Sequence, residues 1–181
     1  MEHSENSKEL SVWGIVESNK PSNAYALVLG EKGGTRHLPV IVGKSEAQNI
    51  LIAQKHIFMP RPLTHDLFLK VLVAVGWSLE YVEIYKENDG VFYAYLALRQ
   101  SPDSDDLYYM DARVSDALAI ALKAYKPIFA KDEILDRLGL TEEDIERGNL
   151  QSAFSRSVPS DRTPEELEEE MKKAIAEEDY E

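Results

Sequence analysis

From Ala117 to Leu122 the chain reads Ala-Leu-Ala-Ile-Ala-Leu, six apolar residues in succession. With Ser115 placed to cap it, the segment predicts a helix over Asp116–Tyr125 whose composition implies burial on most sides. Such a helix needs other elements packed around it. At 44% hydrophobic residues in 181, the chain has enough apolar surface to build that core, and wholesale disorder is excluded.

The surrounding sequence supplies the elements. Leu10–Asn19, Ala24–Leu29 and Arg36–Val42 predict three strands of a meander, with Gly30–Gly34 as a turn. From Lys44 to Lys55 the period becomes helical, with Ala47, Ile50, Leu51 and Gln54 on one face. Pro60-Arg61-Pro62 then forces an extended loop. Thr64 is placed to cap a helix over His65–Val75, with Leu67, Leu69, Val71, Leu72 and Val75 as its buried side. Ser78–Lys86 and Val91–Arg99 alternate as strands around Asn88-Asp89-Gly90, a strong hairpin signal. Ser101–Asp106 reads as a polar loop, Leu107–Asp111 and Pro127–Ala130 as short strands, and Lys131–Leu138 as a helix stopped by Gly139. The predicted class is α+β: a mixed or antiparallel sheet opening with a β-meander, helices packed on it, and a helical C-terminal tail. The expected organisation is a domain over 1–139, a short helix and polar linker over 140–162, and an acidic helix over 163–181.

Zero cysteines exclude disulfides, thiolate metal sites and a Cys nucleophile. No apolar run approaches the roughly 18–20 residues of a membrane helix, and the polar start MEHSENSKEL is not a secretory signal, so no membrane association and a cytoplasmic location are expected. The net charge of −13 is unevenly distributed: residues 133–181 carry 16 acids against 6 bases, leaving the body nearly balanced. Acidity argues against nucleic acid, because phosphate neutralisation supplies most non-specific affinity, but it does so with force only for the tail.

Three helix starts concentrate the chemistry: Val42-Gly43-Lys44-Ser45-Glu46, Arg61-Pro62-Leu63-Thr64-His65-Asp66 and Asp111-Ala112-Arg113-Val114-Ser115-Asp116. Exposed amides and the helix dipole favour anions there, phosphate among them. If these ends converge, Glu46, Asp66, Asp111 and Asp116 lie among Lys44, Arg61 and Arg113, with His65 as the titratable group. Carboxylates can place a divalent cation or activate water, bases can hold a phosphodiester, and His65 can move a proton. The plainer reading is that Glu46, Asp66 and Asp116 are first-turn acids favoured by the dipole, and that Arg113 is a structural ion-pair partner. Trp13, Trp77, Tyr93 and Tyr95 are sheet packing or, alternatively, base-stacking surfaces.

Together the blocks Leu38–Gly43 with Glu46–Ile50, Pro60–Leu67, Phe92-Tyr93-Ala94 and Asp111–Ala117 resemble the bifunctional nuclease family over about residues 10–132. One departure is Val114, where the family pattern has Pro before the Ser-Asp pair. The resemblance implies hydrolysis of DNA and RNA, some members being credited with both. The segment Glu165–Ile175, ending in Asp179-Tyr180-Glu181, resembles the first half of the UVR motif of UvrB and UvrC, a helical hairpin for protein contact. Its second half is absent, so a truncated or half motif is expected.

Two functions follow as expectations. One is a nuclease of low sequence preference, assisted by Mg²⁺ or Mn²⁺ and needing no organic cofactor. In it Glu46, His65, Asp66, Asp111 and Asp116 are catalytic, Lys44, Arg61 and Arg113 bind nucleic acid, and any metal ligands are unassigned. The other is a non-catalytic module that binds an anion or a partner and is tethered through the tail. Carboxylates in an open cleft favour the first; carboxylates buried in ion pairs with Arg61 and Arg113 favour the second. An edge strand and nine tyrosines point to a homo-oligomer, and the C-terminal helix is the expected contact for any protein partner.

Overall fold

The computed structural model describes residues 6–17, 24–100, 106–147 and 150. The predicted linker and tail helix, 151–181, lie outside the described residues, as do the end of the first strand and most of the 101–106 loop.

Seven strands form one mixed sheet: β1 (Ser7–Glu17), β2 (Ala24–Glu31), β3 (His37–Gly43), β4 (Ser78–Asn88), β5 (Val91–Arg99), β6 (Tyr108–Arg113) and β7 (Ile128–Lys131), in spatial order β3-β2-β1-β7-β4-β5-β6. Two antiparallel meanders thus lie side by side. The short β7 joins them, antiparallel to β1 and parallel to β4. Helices α1 (Lys44–Gln54), α2 (Thr64–Ala74) and α3 (Val114–Lys123) pack on one face; α4 (Asp132–Leu138) and α5 (Glu142–Glu146) follow β7.

The apolar run is the centre of the domain. In α3, Val114 and every residue from Ala117 to Ala121 are buried, with α1 and α2 on its flanks and β4 and β5 beneath. Its alanines let the neighbouring helices approach, while Leu118 fills the space against the core leucines and isoleucines of the sheet. On the opposite face of the sheet Leu140, Ile145 and Leu150 pack on Ala26 and Val28, so the chain beyond Gly139 still contributes to this body.

At the β4–β5 hairpin Asp89 and Gly90 both have positive φ, 49° and 82°. That is the type I′ geometry, which matches the strand twist and asks for Asn, Asp or Gly. Gly90→Ala puts a Cβ on the second of these positions and is expected to cost about 1–2 kcal/mol. Urea denaturation checks this; an unchanged midpoint would refute it.

Three local expectations are corrected. α2 is capped by Leu63, not Thr64: the Asp66 carboxylate reaches back to accept the Leu63 N–H at 2.8 Å. α3 begins at Val114 with Arg113 as its cap, so Ser115 is already inside the first turn. Burial of Val114 in the core carries β6 directly into the helix and leaves no separate capping residue. Lastly, α2 is rotated from its expected orientation. Its inner stripe is His65, Phe68, Leu69 and Leu72, whereas Leu67, Val71 and Val75 are 56, 51 and 59% exposed. The correct stripe has the same helical spacing but includes a histidine, which a count of apolar residues passes over.

Candidate active site at three helix N-termini

Sheet and helices together fix where the polar side chains meet. β3 runs into α1 and β6 into α3 without an intervening loop, so Glu46 and Asp116 stand in first turns at the same side of the molecule. The loop before α2 delivers His65 to the flank of α3. Gly43, the N-cap of α1, leaves room for this arrangement: a Cβ there would lie 2.6 Å from Glu46 Oε2.

Four of the eight expected residues form a continuous chain of contacts. His65 Nε2 is 3.2 Å from Asp116 Oδ1, Arg113 Nε donates to Asp116 Oδ2 at 2.8 Å, and Arg113 Nη1 is 3.8 Å from Glu46 Oε1. Ser45 donates to the other Glu46 oxygen at 2.9 Å. Burial pushes the Asp116 carboxyl up, but the hydrogen bonds from Arg113 and His65 outweigh it and hold the pKa below its ordinary value. Arg113, bonded to Asp116 and facing Glu46, is pushed further up and stays charged. An ionised carboxylate only accepts, so His65 Nε2 carries the ring hydrogen. His65 Nδ1 is buried and has no hydrogen-bond partner among the described residues.

Exposure divides the roles. The Arg113 side chain is 70% exposed and Glu46 28%, while His65 is 8% exposed. Beside them is a concavity of about 330 Å³ lined by Glu46, Arg113, Ser115 and the Gly90–Phe92 strand start. Cation and carboxylate therefore face a space of small-ligand size, and the imidazole stands behind them.

The other four residues lie elsewhere. Asp66, next to His65, gives one oxygen to the Leu63 amide and the other to Lys123 Nζ at 2.7 Å. Lys123 is the contributor that sequence reading missed; it lies seven residues after Asp116, two turns along the same face of α3, and that spacing was the available signal. Strand alternation turns Asp111 to the opposite face of the sheet, where it accepts from Tyr85 Oη at 3.3 Å. Arg61 is exposed on the loop before α2, and Lys44 faces a different groove on α1.

Burial raises the Asp66 carboxyl, but Lys123 and the Leu63 amide outweigh it, and its pKa falls below the ordinary 3.8. A depressed folded pKa stabilises the ionised native state. The contribution is complete well above 3.8 and is lost as pH falls through the folded value. Asp66→Asn should therefore flatten the fall in stability below about pH 5. Urea titrations at stepped pH check this, and parallel curves for variant and wild type would refute it.

Among the described residues no three His, Asp or Glu side chains converge into a cluster that could by itself hold a metal ion. Nor, among these residues, is any helix long and apolar enough to cross a membrane.

The fold and site define a class: a mixed α+β domain that gathers charged residues at the amino ends of its sheet-packed helices. The sequence profile of the bifunctional nuclease domain matches residues 27–143, and the chain belongs to that family. A Mycobacterium tuberculosis protein described as uncharacterized is 39% identical over 136 residues, covering 75% of this chain and 79% of that one. Bifunctional nuclease 1 of Oryza sativa subsp. japonica is 26% identical over 125 residues, 69% of this chain but 38% of the rice protein. Bifunctional nuclease 2 of Arabidopsis thaliana is 25% identical over 115 residues, 64% of this chain and 35% of that protein.

Proposed function

We propose that this chain is a nuclease that hydrolyses DNA and RNA phosphodiesters with low sequence preference. The observation that carries the reading is the Glu46–Arg113–Asp116–His65 chain, with its cation and one carboxylate opening on a cavity at helix amino ends. Family membership supports it, since the rice and Arabidopsis relatives bear the name bifunctional nuclease.

Hydrolysis requires that a water oxygen bond to phosphorus, one P–O ester bond break, the water proton be taken up, and the leaving oxygen be protonated. Arg113 is the group to hold the non-bridging oxygens, which gain charge in the transition state. Glu46 is the carboxylate placed to take the proton. Asp116 has both oxygens occupied, by Arg113 and His65, and serves as the positioning residue that fixes the guanidinium. His65 secures Asp116 from behind. The described carboxylates do not form a ready cation cage, so no step here is assigned to a metal. Mg²⁺ is commonly held by one or two carboxylates plus substrate phosphates, and the dependence on Mg²⁺ or Mn²⁺ is read from the assay.

The test is cleavage of single-stranded DNA, duplex DNA and RNA by the full chain with Mg²⁺, Mn²⁺ or EDTA, beside Glu46→Gln prepared identically. Activity that disappears in the folded variant supports the assignment. Equal activity in both preparations identifies a contaminant and sinks it.

One observation favours the second reading, a binding module tethered through residues 163–181. Both Asp116 oxygens and both Asp66 oxygens are already taken by protein donors, as in a structural ion-pair network. Absence of cleavage under every condition would select this module.

A further inference from the structure

A second concavity runs along the outer face of α1, against β1 and β2, with a volume of about 460 Å³. Lys44, Gln48, Leu51 and Lys55 line it from the helix; Trp13 and Tyr25 close it from the sheet. The helix positions recur at i, i+4, i+7 and i+11, so they share one face and span about 16 Å.

Three observations select a ligand. First, the groove holds two lysines and no acid, in a chain of net charge −13. Second, the Lys44 and Lys55 side chains are exposed, and their ammonium groups have no ion-pair or hydrogen-bond partner among the described residues. Third, Trp13 is 48% exposed, at the bulge in the part of β1 that pairs with β2 beyond its pairing with β7, and is held edge-on by His37 at a ring separation of 5.0 Å. An indole with an open surface, in a groove that also carries two exposed ammonium groups, suits a base flanked by phosphates. Stacking is sequence-tolerant because every base has a π-face.

We propose that this groove is a subsite for unpaired nucleotides of single-stranded DNA or RNA. Trp13 stacks a base, and Lys44 and Lys55 hold the flanking phosphates. The groove ends at Lys44, two residues before Glu46, so a strand lying along α1 brings its next phosphodiester to the Glu46–Arg113 cavity. That last link rests on the nuclease reading; binding in the groove does not.

The experiment measures binding without turnover: fluorescence anisotropy of labelled (dT)12 and (U)12 with the full chain in EDTA. Trp13→Ala is expected to weaken binding about ten-fold, with Trp13→Phe restoring most of it because a ring is retained. Lys44→Ala/Lys55→Ala is expected to lower the slope of log K against log salt by about 1.4, two single-strand phosphate contacts. A blunt 12-base-pair duplex is expected to bind more weakly than either single strand. Comparing the two oligonucleotides tells which sugar the groove prefers. Equal affinity of wild type and Trp13→Ala, a duplex bound as tightly as single strands, or no binding by the wild type would each overturn the subsite. Binding with these signatures but no cleavage in Mg²⁺ or Mn²⁺ would uphold the subsite and remove the nuclease. Cleavage by the wild type with Trp13→Ala binding unchanged would do the reverse.

Discussion

Replacing Arg113 by alanine is expected to lower phosphodiester cleavage by about 10²–10³-fold, the loss typical when one preorganised donor to a transition-state oxyanion is removed. The side chain is 70% exposed and, among the described residues, its ion pairs are with Asp116 and Glu46, so the thermal midpoint should stay close to wild type. The pH profile gives a second readout that general destabilisation would not produce. Arg113 lowers the Asp116 pKa by hydrogen bond and charge. Without it the Asp116 carboxyl rises, and the acid limb of any residual activity should follow it to higher pH. Arg113→Lys keeps the charge but loses the two-pronged geometry, so partial rescue is expected. Full activity in Arg113→Ala would remove this residue from the site.

The largest stability effect is expected on the other face of the sheet. Glu83 on β4 is completely buried and accepts hydrogen bonds from Ser7 and Tyr95, with Lys131 Nζ 3.3 Å from Oε1. Four strands, β1, β4, β5 and β7, are tied at one carboxylate, at the seam between the two meanders. Lys131→Met removes the cation and leaves a charge that cannot reach water. The expected cost is about 3–5 kcal/mol, equivalent to roughly 10 °C in Tm for a chain of this size. Replacing both partners, Glu83→Leu with Lys131→Met, should recover much of the loss, since an apolar pair carries no desolvation penalty. Calorimetry on the two single variants and the double decides it. Additive losses would mean that the ion pair is not what Lys131 contributes.

Arg36 shows the same economy of charge on a smaller scale. It donates to Glu31 at 2.8 Å and to Asp132 at 2.7 Å, also reaches Asp136, and so holds α4 against the β2–β3 hairpin. The acids of the body are thus largely employed within it.

Much of the fold was legible in the chain because its signals are local. The Asp89-Gly90 turn needs two positive φ angles, and few residue pairs accept them. The Ala117–Leu122 run announces its own burial, and Gly43 and Gly139 stand at helix boundaries where a Cβ would crowd Glu46 and the Leu135 carbonyl. The orientation of α2 was not legible. Two stripes of that helix have helical spacing, and only the fit against α3 chooses the one containing His65. The candidate site divides in the same way. Sequence placed acids and bases at three helix starts; it could not tell that Asp111 alternates to the far face, that Asp66 is claimed by Lys123, or that Lys44 turns to a separate groove.

Within the described residues, the sequence by itself determined which segments form strands and helices, where the chain turns, and which polar residues sit in first helical turns. These depend on dihedral preference, hydrophobic period and dipole, all set within a few residues. Tertiary structure alone decided which of those groups meet. Contacts such as His65 with Asp116, or Lys131 with Glu83, join residues 48 to 51 positions apart. Their geometry follows from how the helices and strands pack, and packing is a property of the whole core.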